Sequence, residues 1–114
     1  MARDDYHVIV YQILSYLYQR LKKGEQVDAK MISSDGPLFT VNKKYWSYII
    51  YHLQESGFVE GIAFIPIDGL DLPYPAQMDE CRITPDGIAY LCDNSFMEKA
   101  KAFLKDIKEI VPFT

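Results

Sequence analysis

The chain has 114 residues, of which 49% are hydrophobic and 14% aromatic, and its formal net charge is −4. This length suits one domain over residues 1–114, and so apolar a composition excludes an intrinsically disordered chain. No apolar run approaches the ~18 residues of a membrane span, and the N-terminus, Met-Ala-Arg-Asp-Asp, lacks the features of a signal peptide, so we expect a cytoplasmic protein with no membrane partner.

The first predicted element is a helix from about Asp5 to Lys23, capped by Asp4 or Asp5 and ended by Gly24. Its apolar stripe consists of Tyr6, Val10, Ile13, Leu14, Leu17 and Leu21. Other residues of apolar or aromatic character lie off this stripe, namely Val8, Tyr11 and Tyr18. Two interpretations follow: the helix is deeply sandwiched within the chain, or it meets another chain.

Two further helices complete a helix-turn-helix pattern. A short second helix is predicted from Asp28 to about Ser33, with Met31 and Ile32 facing inward. The third helix begins at the N-cap Asn42 and ends before Gly57, which suits a left-handed C′ residue. Its buried stripe follows the i, i+3, i+4, i+7 spacing and comprises Trp46, Ile49, Ile50 and Leu53. The third helix therefore occupies the recognition position.

A β-hairpin is predicted after the third helix. Residues from Phe58 to Ile65 are rich in β-branched and aromatic side chains, and Pro66 limits further pairing. The inward face of this strand is predicted to carry Phe58, Ile62 and Phe64. After a loop that contains Asp68-Gly69 and Pro73-Tyr74-Pro75, residues Gln77 to Ile83 return antiparallel. Tyr74 either anchors a partner or folds back on the hairpin, and we favour folding back.

Two helices close the chain. Thr84 is the predicted cap of the first, which has Pro85 at its first position, stops at Asp93-Asn94 and buries Ile88 with Leu91. The spacing of Ser95 and Glu98 is typical of a capping box, so a last helix is predicted from Ser95 to about Val111. Its apolar stripe comprises Phe96, Met97, Ala100, Phe103, Leu104, Ile107, Ile110 and Val111. The predicted fold is α+β: a winged helix-turn-helix with a three-helix unit, a two-stranded β-hairpin wing and two C-terminal helices.

The order of motifs resembles that of a known family. Leu53-x-x-x-Gly57-Phe58-Val59, the hairpin, Ile83-Thr84-x-x-Gly87-x-x-Tyr90-Leu91 and the last helix are similar to the YjcQ-like family of small bacterial and phage winged-helix proteins. The likeness covers residues 38–111 and implies a winged-helix fold. It implies no biochemical function, and therefore no functional residues. The long hydrophobic wing tip, Leu70 to Ala76, and the tyrosine-rich first helix depart from the family pattern.

Charge is distributed unevenly along the chain. Residues 1–44 carry seven Lys or Arg against five acids, residues 45–98 carry one against nine, and residues 99–114 carry four against two. The acidic block includes the hairpin residues Glu60, Asp68, Asp71, Asp79 and Glu80. Because phosphate contacts supply most of the affinity of proteins for nucleic acid, an acidic wing opposes the approach of its tip to a DNA backbone.

The outward face of the third helix holds the candidate nucleic-acid-binding residues. They are Lys43, Lys44, Ser47, Tyr48 and Tyr51, with the lysines placed for phosphates and the others for base edges. The middle of the helix lacks an Arg or an Asn–Gln pair for bidentate base reading. One hypothesis is a DNA-binding transcriptional regulator of bacterial or phage origin that binds double-stranded DNA. The alternative is a protein–protein interaction module on a winged-helix scaffold, without nucleic-acid binding.

No catalytic or metal-binding signature occurs in the sequence, so we expect neither an enzyme nor a cofactor. His7 and His52 are interpreted as packed side chains, and Cys81 and Cys92 as reduced, small apolar residues. The tyrosines at positions 11, 16 and 18, together with the amphipathic last helix, predict a homodimer through the first and last helices. The alternative is a monomer whose last helix packs across the first.

Overall fold

The computed structural model describes residues 5–106, which form an α+β fold. Its helices are α1 (Asp5–Lys23), a 3₁₀ helix (Ala29–Ile32), α2 (Lys43–Glu55), α3 (Pro85–Asp93) and α4 (Ser95–Asp106). Its strands are β1 (Val59–Glu60), β2 (Ala63–Ile65), β3 (Tyr74–Gln77) and β4 (Arg82–Ile83). This order is compatible with a winged helix. The alternative cap Asp4 and the stripe residues Ile107, Ile110 and Val111 lie outside the described residues.

The middle of α1 is buried on almost every side. Even the polar residues Gln12 and Ser15 are buried there, because α3, α4 and β4 all pack against the helix. The Gln12 side-chain amide donates a hydrogen bond of 2.9 Å to the Leu38 carbonyl oxygen. The middle of this helix is therefore sandwiched within the chain, as one of the two interpretations predicts, and contact with another chain stays a prediction. The predicted stripe is wrong at Leu21, which is 46% exposed because it borders an open cavity beyond the covered part of the helix.

The predicted second helix is a single 3₁₀ turn. Asp28 caps it by accepting a hydrogen bond from the Lys30 amide, as the sequence indicates. Ile32 is fully buried, and Met31 is half-buried against the core. The chain becomes extended at Ser33, whose hydroxyl and amide both donate to the Lys30 carbonyl oxygen. This local bonding ends the helix after one turn.

The inner stripe of α2 is confirmed, since Trp46, Ile49, Ile50 and Leu53 are all buried. The Trp46 indole N–H donates a hydrogen bond of 2.8 Å to the carbonyl oxygen of Ile32, which ties α2 to the 3₁₀ helix. Gly57 ends the helical region in the predicted left-handed conformation, with φ 81°.

The wing consists of two short antiparallel sheets instead of one continuous hairpin. One sheet pairs β1 with β4, and the other pairs β2 with β3. Between them, the Gln54 side chain accepts from the Ile62 amide at 3.0 Å and donates to the Ile62 carbonyl at 3.1 Å. The backbone groups of Ile62 are thus satisfied by α2 and do not need a strand partner. The inward residues at the wing base are Val59 and Ile62, whereas Phe58 and Phe64 are half-buried.

Gly61 allows the wing to change sheets. Its φ is 90°, and a Cβ atom at this position would lie 2.1 Å from the Glu80 carbonyl oxygen. A larger residue would therefore suffer both an unfavourable φ and a clash with backbone. The Glu80 carbonyl oxygen therefore lies against Gly61, at the point where the strand pairing changes from β1–β4 to β2–β3.

The predicted cap of α3 is confirmed, whereas the predicted cap of α4 is wrong. Thr84 caps α3 as predicted, and its hydroxyl accepts from the Gly87 amide at 3.0 Å. The predicted capping box at Ser95 is wrong. Asn94 takes the cap position instead, because its side-chain oxygen accepts from the Phe96 amide at 2.8 Å and its carbonyl accepts from the Glu98 amide at 3.0 Å.

The last helix packs across the first within the chain. Met97, Ala100 and Leu104 of α4 are buried, and the last two form a cluster with Val8 of α1. Phe96 and Phe103 do not belong to the buried stripe, since they are 48% and 42% exposed. The predicted stripe is wider than the single side of α4 that its neighbours cover. In α3, Ile88 and Leu91 are half-buried. No helix within residues 5–106 is both long and apolar enough to cross a membrane.

Candidate functional site

The predicted site residues on α2 have different environments. Lys43 and Lys44 are exposed in the first turn, and Tyr48 is 48% exposed one turn further along. Tyr51 is half-buried, because its ring packs edge-on against Phe64 of β2 with 5.7 Å between the ring centroids. The four side chains therefore do not form one open surface.

The predicted wing tip, Leu70 to Ala76, is partly wrong, because residues from Tyr74 onward belong to β3. The wing tip of the structure, residues 66–73 between β2 and β3, lies opposite the outward side of α2. Between them is a cavity of about 560 Å³, which we call the α2–wing pocket. The helix contributes Lys43, Lys44, Ser47, Tyr48 and His52 to its lining. The wing contributes Leu70, Asp71, Leu72 and Tyr74.

Ser47 corrects the predicted outward face. It is only 8% exposed, although the sequence places it over base edges in a DNA groove. Tertiary packing explains this burial, since Ser47 lies on the side of α2 that the wing covers. A hydroxyl in this position is not accessible to a DNA duplex unless the wing moves.

Tyr74 holds the wing against α2. Its backbone pairs with Ile65 of β2, and its ring packs on Trp46 with 6.0 Å between the centroids. Tyr74 therefore folds back, as we favoured, although it contacts α2 and not only the hairpin. Because Trp46 is part of the buried stripe, one wall of the pocket is continuous with the core.

Both histidines are packed against aromatic rings, as the sequence indicates. His52 lies 4.4 Å from Tyr48 and 5.3 Å from Tyr51, measured between centroids. His7 stacks on Phe96 at 4.4 Å with nearly parallel rings. His52 thus joins the two predicted tyrosines into a row along α2.

The N-cap of α2 uses backbone donors that an anion would otherwise contact. The Asn42 side-chain oxygen accepts from the Lys44 amide at 2.8 Å and from the Tyr45 amide at 3.3 Å. A negatively charged group near this end of the helix would therefore be met mainly by the ammonium groups of Lys43 and Lys44.

The charges around the pocket are unbalanced. Its lining has two lysines and one carboxylate, Asp71. The ion pairs within residues 5–106 lie elsewhere, between Arg20 and Glu25 and between Arg82 and Glu60. The charged lining of the pocket is consequently net positive, although the whole chain carries a net charge of −4.

A second cavity, of about 390 Å³, separates the end of α1 from the base of the wing. Asp79, Glu80 and the buried Cys81 border it. Burial raises the pKa of the Cys81 thiol to about 12, so this thiol is a poor nucleophile. Cys92 is exposed, which corrects its predicted role as an apolar packing residue. Residues 5–106 contain no cluster of three or more His, Cys, Asp or Glu side chains that could hold a metal ion.

Sequence reasoning did not identify the wing side of the pocket. From the sequence, Leu70 and Leu72 are only part of an unusually hydrophobic wing tip, whereas in the structure they line the pocket. That hydrophobicity was the available signal, because apolar residues in a loop usually cover something or bind something. The sequence gives no local pattern from which the position of the loop relative to α2 follows.

A comparison with models of protein families finds a match for most of the chain. The family model described as YjcQ protein matches residues 11–110. No curated protein matches the chain, and no solved structure matches it.

Proposed function

This chain belongs to the YjcQ family, and from that premise we propose that it is a protein-interaction module on a winged-helix frame. The observation that supports this function is the α2–wing pocket, which the wing tip forms with the outward side of α2. A partner would insert an apolar side chain between α2 and the wing tip. Anchors of this kind, held in a pocket, supply much of the affinity in protein interfaces.

The size and the walls of the pocket support an apolar anchor. A volume of about 560 Å³ falls within the range of about 300–1,000 Å³ that is usual for ligand sites. Tyr48, Leu70, Leu72 and Tyr74 provide apolar surface on both walls. The exposed fractions of Leu70 (40%) and Tyr48 (48%) leave that surface open to solvent in the free chain.

A displayed library of random peptides, selected on the immobilised protein, tests this function. We expect peptides with a common apolar position to be enriched on the wild-type chain and lost on the double variant Tyr48→Ala, Leu72→Ala. Leu21→Ala is the control, because it removes an exposed apolar side chain from the end of α1, away from the pocket. Enriched peptides that bind all three proteins equally, or no enrichment at all, would contradict the proposal.

DNA binding is the second candidate function, and the exposure of Lys43, Lys44 and Tyr48 favours it. The two lysines would contact phosphates, and the bound protein would act as a transcriptional regulator. Opposing this function, Asp71 lies in the same pocket, and Arg82 of the wing is engaged with Glu60 at 2.8 Å.

A mobility-shift assay with mixed duplexes tests the second candidate. It predicts binding that weakens steeply with salt and is lost in Lys43→Ala, Lys44→Ala. The pair Lys22→Ala, Lys23→Ala is the control, because it removes the same charge from two exposed lysines at the end of α1. Unchanged duplex mobility at low salt would remove DNA binding from consideration.

A homodimer through the first and last helices is also proposed. Phe96 and Phe103 support it, because about half of each aromatic ring is left exposed on α4, even though one face of Phe96 is stacked on His7 of α1. Light scattering at micromolar concentration should give two chains per particle. One chain per particle would eliminate the dimer.

A further inference from the structure

We infer that the segment bound in the α2–wing pocket carries an apolar anchor flanked by carboxylates. This inference rests on the proposed function and adds the chemistry of the partner. It follows from the lysines and the apolar residues that line the pocket together, and from the location of the acidic wing residues.

The first feature is a pair of unpartnered ammonium groups. Lys43 and Lys44 border the pocket, and neither forms an ion pair within residues 5–106. They lie in the first turn of α2, where the helix dipole also favours negative charge. Since Asn42 already occupies the amides of Lys44 and Tyr45, a carboxylate would bind the lysine side chains. Such contacts are charge-assisted hydrogen bonds.

The second feature is the apolar surface that lines the same pocket as the lysines. Tyr48 on the helix and Leu70 and Leu72 on the wing tip line this cavity together with Tyr74, whose ring packs on Trp46. A carboxylate alone would leave these apolar walls exposed to water. A large apolar side chain next to the carboxylate would bury these walls. The ligand therefore needs both a carboxylate and an apolar anchor.

The third feature is that most wing carboxylates lie away from the pocket. Asp79 and Glu80 border the cavity at the wing base, and Glu60 is paired with Arg82. Asp68 is in the wing tip but does not line the pocket. The acidity of the wing therefore opposes an acidic ligand in the pocket mainly through Asp71, which lies on the wing wall. Asp71 restricts the carboxylates of the ligand to the α2 side.

Fluorescence polarisation with short labelled peptides tests the inference. Three peptides are compared: an aromatic anchor flanked by glutamates, the same anchor flanked by lysines, and the glutamate peptide with alanine in place of the anchor. We expect the first to bind at least about tenfold more tightly than either of the others. In Lys43→Glu, Lys44→Glu the preference should reverse toward the lysine-flanked peptide.

The control is Lys22→Glu, Lys23→Glu, which changes the net charge equally at the end of α1 and should keep the glutamate preference. Tighter or equal binding of the lysine-flanked peptide to the wild-type chain would overturn the inference and leave the proposed function standing. Absence of binding by all three peptides would overturn both. Tighter binding of a duplex than of any peptide, lost in Lys43→Glu, Lys44→Glu, would overturn it in favour of DNA.

Discussion

The helical core and the wing bury their residues to different extents. Ile13 and Leu14 of α1 and Ile49 of α2 are essentially inaccessible, and they belong to one continuous cluster. The wing has strands of two to four residues, and beyond its base Ile65, Ile67 and Leu70 are substantially exposed. The core therefore depends on packing, whereas the wing depends on a few specific contacts with α2.

This difference separates stability from binding. A side chain that contributes to the core is inaccessible to a partner, and a side chain that is available to a partner contributes little to stability. In α2 the two roles occur on opposite sides of the same helix. The α2–wing pocket lies where the sides meet, because Tyr74 of the wing contacts Trp46 of the buried stripe.

Replacing the same residue type in the two regions gives the largest expected contrast. Ile49→Ala should lower the free energy of unfolding by about 2–5 kcal/mol, because it leaves a cavity in a closely packed cluster. Ile65→Ala is the matched substitution in β2, where the side chain is 45% exposed, and should cost less than about 1 kcal/mol. Urea unfolding of both variants measures the contrast. Equal losses would show that the wing is packed as tightly as the core.

Gly61 tests the specific contact that interrupts the wing. Gly61→Ala should lower the free energy of unfolding by about 2–3 kcal/mol, because the new Cβ meets the Glu80 carbonyl and φ is positive. Gly69→Ala is the control, since its φ of 86° is similar but no atom lies within 4 Å of the added Cβ. It should cost only about 1 kcal/mol. Equal losses in urea unfolding would remove the close approach to Glu80 as the cause.

The same contrast explains what the sequence could predict. The inner stripe of α2 was identified correctly, because its spacing is a local property of four residues on one helix. The caps at Asn42 and Thr84 were also local and correct. The break in the wing was not predicted. It depends on the Gln54 side chain reaching Ile62, which no alternation of residues within the strand reveals.

The sequence predicts only the α2 side of the candidate site. Lys43, Lys44 and Tyr48 do lie around the pocket, because the outer side of a helix follows once the inner side is known. The wall formed by Leu70 and Leu72 was missed, since the position of an irregular loop depends on long-range packing. Ser47 was misplaced for the same reason.

The pH dependence of the free energy of unfolding tests whether the Cys81 thiol is buried at the base of the wing. Burial raises the pKa of its thiol from 9.0 to about 12 in the folded chain. Above about pH 9 the unfolded chain therefore loses this proton first, and stability falls as pH rises, by up to about 1.4 kcal/mol per pH unit. Urea unfolding of the wild type at about pH 8 and pH 10 should show this loss.

Cys81→Ala should reduce the loss, whereas Cys92→Ala should not, because Cys92 is exposed. Burial also raises the pKa values of Tyr6, Tyr45 and Tyr90, but these groups are present in all three proteins and cancel in the comparison. The same pH dependence in all three proteins would show that the wing base admits water to Cys81.

Tyr48→Ala should have the smallest effect on stability and separates the two sides of α2 most directly. Because its ring is 48% exposed, the free energy of unfolding should change by less than about 0.5 kcal/mol. Binding of the glutamate-flanked peptide should nevertheless weaken about tenfold, since the ring forms a wall of the pocket. Urea unfolding and fluorescence polarisation on one preparation measure both quantities. If stability and binding fell together, Tyr48 would hold the wing tip in place, and the pocket would belong to the folded core.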